Sequence, residues 1–178
     1  LDCDQGLGRA AKMKPPLRPA ADGEALWRGL MGGTVDTVAS DHVARPLNMK
    51  SEGDLWNKWT GCPSTPLLLP SMLHFGFHRR GFPLERIAEV LSLNPARLYG
   101  LYPRKGDIQV GFDADLTVVD LHQEKVVRYE ELGSVSDYSL YDGLRMKGWP
   151  VLTLVRGRVV GRDAMPLEST GWGKYLPR

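Results

Sequence analysis

The sequence predicts an α/β fold followed by a small β-rich domain, and three observations carry that prediction. Thr34 to Ser40 is an apolar β-type run that ends abruptly in Asp41 and His42. Ahead of it Leu26, Trp27 and Leu30 recur at helical spacing, so strand, helix and strand alternate. Beyond Gly100 the periodicity changes to short β-branched runs set off by Gly and Asp turns. Strand–helix–strand units cross over right-handedly and leave their strands parallel. A buried strand that delivers an acid at its carboxyl end is where parallel α/β barrels keep their chemistry, which makes Asp41 the leading candidate residue.

Taken in order, Ala10 to Met13 reads as a short strand stopped by Pro15-Pro16, which cannot donate ladder hydrogen bonds. Asp22 can cap a helix running from about Gly23 to Met31, with Gly32-Gly33 ending it. Residues 43 to 63 carry Pro46, Gly53, Gly61 and Pro63, and form a long excursion on the face of Asp41, as binding loops often do. Residues 65 to 78 are mostly apolar, although Pro70 argues against one uninterrupted helix. Pro83 opens a helix with the stripe Leu84, Ile87, Ala88 and Leu91. Asn94 can cap the next short helix, with Pro95 at its first position and Leu98 and Tyr99 packing inward. Ile108-Gln109-Val110 then leads through Gly111-Phe112-Asp113 into a strand at 116–119, and Lys125 to Tyr129 is another strand candidate. Val151 to Val155 and Arg158 to Val160 make a hairpin around Arg156-Gly157.

Composition bounds the rest. With 42% hydrophobic residues, 25% charged residues and a formal net charge of +2, the chain belongs with ordinary proteins that bury a core. A (β/α)8 barrel takes about 250 residues, so 178 residues that also hold a β-rich third cannot complete one. The opening Leu1-Asp2-Cys3-Asp4 has neither an initiator Met nor the regions of a signal peptide, and the chain reads as the C-terminal part of a larger protein. Cys3 and Cys62 lack metal-type spacing, which makes a reduced, cytoplasmic context the default. No apolar run approaches the ~20 residues of a membrane span. Lys and Arg are scattered among acids, and Arg79-Arg80 reads as a solvated helix end, so neither a membrane nor nucleic acid is expected as a partner.

Several motifs go further than composition. Lys14-Pro15-Pro16-Leu17-Arg18, Asp41-His42, Asn94-Pro95-Ala96-Arg97 and Lys105-Gly106-Asp107 through Asp113-Ala114-Asp115 occur in order. Asp137-Tyr138-Ser139-Leu140-Tyr141-Asp142-Gly143, Lys147-Gly148-Trp149-Pro150-Val151, Arg156-Gly157-Arg158 and Gly171-Trp172-Gly173-Lys174-Tyr175-Leu176-Pro177-Arg178 follow. Together they resemble the cyclic amidohydrolases: hydantoinase, dihydropyrimidinase, allantoinase and dihydroorotase. The resemblance implies the C-terminal part of an amidohydrolase (β/α)8 TIM barrel followed by part of a small β-sandwich. Residues 1–104 would be the last barrel strands and helices with the substrate loops, and residues 105–178 the β-sandwich domain and tail.

The resemblance also implies chemistry. In the family, the aspartate after the eighth strand binds one of two divalent ions and exchanges a proton with the hydroxide that bridges them. Asp41 holds that place, as catalytic residue and metal ligand, because a carboxylate both suits a divalent ion and accepts a proton. His42 is expected to hydrogen-bond near the site rather than bind metal. The other implied ligands of a binuclear zinc site, including a carboxylated lysine, have no counterpart in this sequence. His74 and His78 share an i, i+4 spacing, but lie in a segment resembling an outer helix, where packing or surface placement is the expected role.

Lys14 occupies a place where the family commonly has Ser or Asn against the cyclic amide, and Arg45 stands four residues after Asp41, where many dihydroorotases hold a substrate carboxylate. Two cations there suggest an anionic substrate. The plain alternative is that Lys14 pairs with an acid and Arg45 turns to solvent. Thr60 matches a position whose backbone contacts substrate, although a simple turn explains it equally well. The leading expectation is therefore metal-dependent hydrolysis of a cyclic amide or imide by the complete protein, which the resemblance implies to be a homotetramer. The alternatives are a non-catalytic fragment or metal-free relative acting as an interaction scaffold, and an enzyme whose earlier residues belong to another polypeptide or were left out of this sequence.

Overall fold

The computed structural model describes residues 8–51, 54, 56–167 and 171–177, and Cys3, Gly53 and Arg178 lie outside them. The chain divides into two compact units interleaved along the sequence: residues 1–35, 40–68 and 125–146 form one, and residues 36–39, 69–124 and 147–178 the other. Among the described residues, no helix is long and apolar enough to cross a membrane.

In the first unit, Gly8–Ala11 is a 3-10 turn rather than the start of a strand. Helix α1 spans Ala20–Met31 and begins three residues earlier than the Asp22 cap predicts, because Pro19 presets the entry at φ −55° and ψ 156° and two alanines follow. Asp22 instead sits in the first turn, where a carboxylate meets the positive end of the helix dipole. Leu30 is buried and Leu26 is exposed, so the inward stripe is narrower than the pattern implies. The short helix α2 covers Asn48–Ser51. Among the described residues, the buried set of this unit is Leu30, Lys50, Lys58, Cys62, Pro63, Leu67, Val127, Ser136, Tyr138 and Met146.

In the second unit, α3 (Leu68–Ser71) runs directly into a π-helical stretch at Met72–His78. A 3-10 turn at Thr65–Leu67 leads directly into α3, and the helical path continues past Pro70. The next helical path joins α4 (Leu84–Ala88), a π-helical Glu89–Leu93 and α5 (Asn94–Leu98). Of the predicted stripe, Ile87 is buried, Leu84 and Leu91 are half-buried and Ala88 is exposed, while Val90, outside the stripe, is buried. Asn94 is not a cap: its backbone is helical and its Nδ2 donates to Asp36 O at 2.9 Å. Leu98 and Tyr99 point outward instead, at 67% and 53% exposure, while Ala96 takes the inward place.

The β-rich part forms one sheet in the order β1-β2-β3-β4, from Leu116–Val126, Arg145–Val155, Arg158–Arg162 and Met165–Pro166. Strands β2 and β3 pair antiparallel across Arg156-Gly157, both at positive φ (49° and 77°), the twist that a two-residue hairpin loop requires. Ile108 and Val110 are fully exposed and lie outside the sheet. The segment around them is closed by charge: Arg104 Nε and Lys105 Nζ hold Asp113 at 2.9 and 2.8 Å, and Lys105 also bonds Asp115. Those two cations keep the Asp113 carboxyl below its ordinary range. Asp115 Oδ1 in turn accepts from Arg156 N at 2.8 Å, which ties the cluster to the hairpin turn. The tail returns to the same turn, where Trp172 Nε1 donates to Val155 O at 3.0 Å and the Arg156 and Arg158 guanidiniums lie 4.6 and 5.0 Å from the Trp172 ring centre.

Gly148, inside β2, has φ 94°, and a Cβ built there would stand 2.7 Å from Leu73 Cβ. Gly148→Ala should therefore cost about 1–3 kcal/mol through backbone strain and overpacking, read as a lowered urea midpoint. In the first unit, burial pushes the Tyr138 and Tyr141 hydroxyls up to about 12. The unfolded chain releases those protons near pH ~10 and the folded chain does not, so stability should fall as pH rises from about 10 to 12. A pH series of denaturant midpoints checks this, and a flat profile across that window would contradict it.

Candidate active site

Three backbone segments of the first unit lie side by side. Gly61 N donates to Lys12 O at 3.3 Å, and Val43 N donates to Cys62 O at 3.0 Å, so residues 60–62 run between residues 10–12 and residues 42–43. His42 and Cys62 form a parallel bridge, an isolated pairing and not a strand. The β-type run at 34–40 forms no strand: it is irregular, and Val38 N reaches Val90 O at 3.0 Å. β-propensity alone does not make a strand, which also needs a neighbour to hydrogen-bond.

The approach at Gly61 is close. Its φ is 127°, and an added Cβ would meet Val43 Cβ at 2.5 Å, so the freedom of this glycine serves packing against Val43. Asp41 follows directly on residue 40 with φ 45°, a left-handed conformation that Asp tolerates better than most residues. Its neighbours are fixed on both sides. Ser40 O accepts from Ser64 Oγ at 2.7 Å, and Ser40 Oγ lies 3.1 Å from Thr65 Oγ1. The His42 Nδ1 lone pair accepts from both Ser64 N and Thr65 N at 3.0 Å, which places the neutral ring's proton on Nε2. The Asp41 carboxylate is exposed and makes no hydrogen bond or ion pair with a described residue.

The cations differ from one another. Lys14 is exposed, next to Pro15-Pro16, and pairs with no described acid. Arg45 is half-buried rather than turned to solvent. Its guanidinium lies 4.0 Å over the Trp59 ring, its backbone N donates to Ser136 Oγ at 2.9 Å, and its Nε is buried without a hydrogen-bond partner. Thr60 is half-buried between Trp59 and Gly61. Lys14, Asp41, His42, Arg45 and Thr60 thus all belong to the three adjacent segments and their immediate extensions. His74 and His78, in the second unit, are each engaged by backbone: His74 Nδ1 accepts from Lys147 N at 3.2 Å and His78 Nε2 donates to Leu121 O at 2.9 Å. Burial, with Arg79 and His78 nearby, pushes the His74 ring below its ordinary value.

Two residues of the site escape sequence reasoning. Trp59 carries no periodicity, and only its place two residues before Gly61 would have drawn attention to it. Lys50 looks like a surface lysine, yet it is fully buried. Among the described residues, no group of three or more His, Cys, Asp and Glu side chains could hold a metal ion.

Comparison with known proteins places this geometry in a lineage. Residues 14–160 match the amidohydrolase family. The chain is 38% identical over 179 residues to an L-hydantoinase of Paenarthrobacter aurescens, covering 99% of this chain and 39% of that protein. It is 44% identical over 154 residues to an allantoinase of Rubrobacter xylanophilus, covering 86% and 34% respectively. Among solved structures, the L-hydantoinase from Arthrobacter aurescens superimposes with a TM-score of 0.94 at 38% identity, over 100% of this chain and 40% of that one. A D-hydantoinase from Thermus sp. gives 0.89 at 32% identity, over 93% and 37%. The chain therefore spans about two fifths of the length of these relatives. Its α/β architecture and four-stranded sheet are those of a portion of a hydantoinase TIM-barrel protein, and the chain belongs to the amidohydrolase family.

Proposed function

We propose that the complete protein hydrolyses a carbon–nitrogen bond in a cyclic amide or imide, the class to which the hydantoinase and allantoinase names of its relatives point. This chain, on that reading the C-terminal part of the protein, contributes Asp41, the substrate loops and the small β domain. The observation that carries the reading is the Asp41 carboxylate: exposed, unpartnered among the described residues and held on a left-handed backbone, in a member of the amidohydrolase family. The family is generally metal-dependent.

An exposed carboxylate with free lone pairs fits a divalent cation as an oxygen ligand. Asp41 is the residue of this chain that would hold it; the remaining ligands of a zinc pair, a carboxylated lysine among them, we assign to residues outside this chain. A divalent ion held there would polarise the amide carbonyl and make water a stronger acid. The Asp41 carboxylate accepts the proton as the water oxygen bonds to the carbonyl carbon. The carbon–nitrogen bond then breaks, and Asp41 passes the proton to the departing ring nitrogen, returning to its ionised form. His42, clamped through Nδ1 to residues 64 and 65, keeps the backbone of Asp41 in place. Arg45, laid flat on Trp59, and Lys14 provide the positive edge for an anionic group on the ring, and Thr60 offers backbone groups between them. We further assign the complete protein to the cytoplasm as a homotetramer.

The test is a hydrolysis assay of the full-length protein against neutral and carboxylate-bearing cyclic amides. Asp41→Asn should lower kcat by at least about 100-fold, with an unchanged circular dichroism spectrum. Full activity in that variant would overturn the reading. Arg45→Ala should raise KM about tenfold for an anionic ring and far less for a neutral one. Equal effects on both rings would remove the anionic-substrate assignment.

A further inference from the structure

Lys50 is completely buried and no described acid forms an ion pair with it. Its ammonium donates instead to two backbone carbonyls, Gly61 O at 2.5 Å and Ala10 O, and lies 5.3 Å from the centre of the Tyr138 ring. Burial pushes this amine below its ordinary range, the sign of a charge kept at a cost. An apolar side chain of similar length would fill the same space without that desolvation. What it could not do is satisfy two carbonyls that belong to different segments.

Those two segments are the ones that carry Lys14 and Thr60. Around them the ties repeat: Lys12 Nζ donates to Lys58 O at 2.6 Å and to Trp56 O at 3.3 Å, and Gly61 N donates to Lys12 O. Sequence separation between the tied positions is large, so local structure does not fix their spacing. We propose that Lys50 is a positioning residue, whose ammonium sets the spacing between the segment that presents Lys14 and the loop that presents Thr60. The claim that this spacing matters for substrate rests on the function proposed above; the tie itself does not.

Lys50→Met in the full-length protein tests both parts. Amide hydrogen exchange should quicken by about tenfold or more in residues 10–14 and 58–62 together, with the amides of β2 and β3 unchanged. KM for a cyclic amide should rise about tenfold while kcat stays within about threefold, a split that a general loss of stability would not produce below the melting temperature. Unchanged exchange in those two segments overturns the tie, and altered exchange with unchanged KM overturns the positioning role. Should the full-length protein hydrolyse no cyclic amide, the proposed function fails while the exchange experiment still decides the role of Lys50. If the Met variant does not fold, the native protein decides: residues 10–14 and 58–62 opening at one shared rate supports the node, and unrelated rates overturn it.

Discussion

Residues 61 and 62 are wedged between two other backbones, and everything proposed for the site follows from that wedge. On one side Gly61 touches Val43 so closely that no other residue fits without displacement. On the other its N–H reaches Lys12 O, and beneath it the Lys50 ammonium takes its carbonyl. Both polar groups of a single glycine peptide are therefore committed to distant parts of the chain. The bridge to His42 then sets the turn at which Asp41 leaves the run, and Ser64 and Thr65 hold that turn from the far side. The carboxylate is free for chemistry because its neighbours, and not its own oxygens, satisfy the local backbone.

The parts of this fold that were legible in the sequence are those governed by local rules. The inward place of Ile87, the positive-φ turn at Arg156-Gly157 and the stop of α1 at Gly32 all depend on residues within a few positions of one another. Parts that depend on distant neighbours were not legible. Residues 34–40 have strand composition without a strand ladder, and Ile108 and Val110 have it while standing in solvent. Leu98 ends α5 and Tyr99 caps it, and both face away from the core, because the π-helical stretch before α5 shifts the face that the α-helical period would bury. Within the candidate site, Asp41 is proposed from the acid at the end of a β-type run, whereas the burial of Lys50 depends on carbonyls about forty and eleven residues away in sequence.

The motif at Lys105 to Asp115 shows why a signature need not mark chemistry. Its charged residues neutralise one another: Arg104 and Lys105 close on Asp113, Lys105 on Asp115, and Asp115 on the hairpin backbone. Gly106 allows this loop to pass against Ala96, where an added Cβ would meet Ala96 Cβ at 2.5 Å. The motif is thus a fastening between a loop and a turn.

At the other side of that turn the fastening uses no anion among the described residues. Arg156 and Arg158 bring like charges to one hairpin, and the face of Trp172 attracts both. The ring does the work of a counter-ion with a quadrupole in place of a charge. An indole has no proton to gain in the range where carboxylates are neutralised, so acid that loosens the Asp113 fastening leaves the tail clasped to the hairpin.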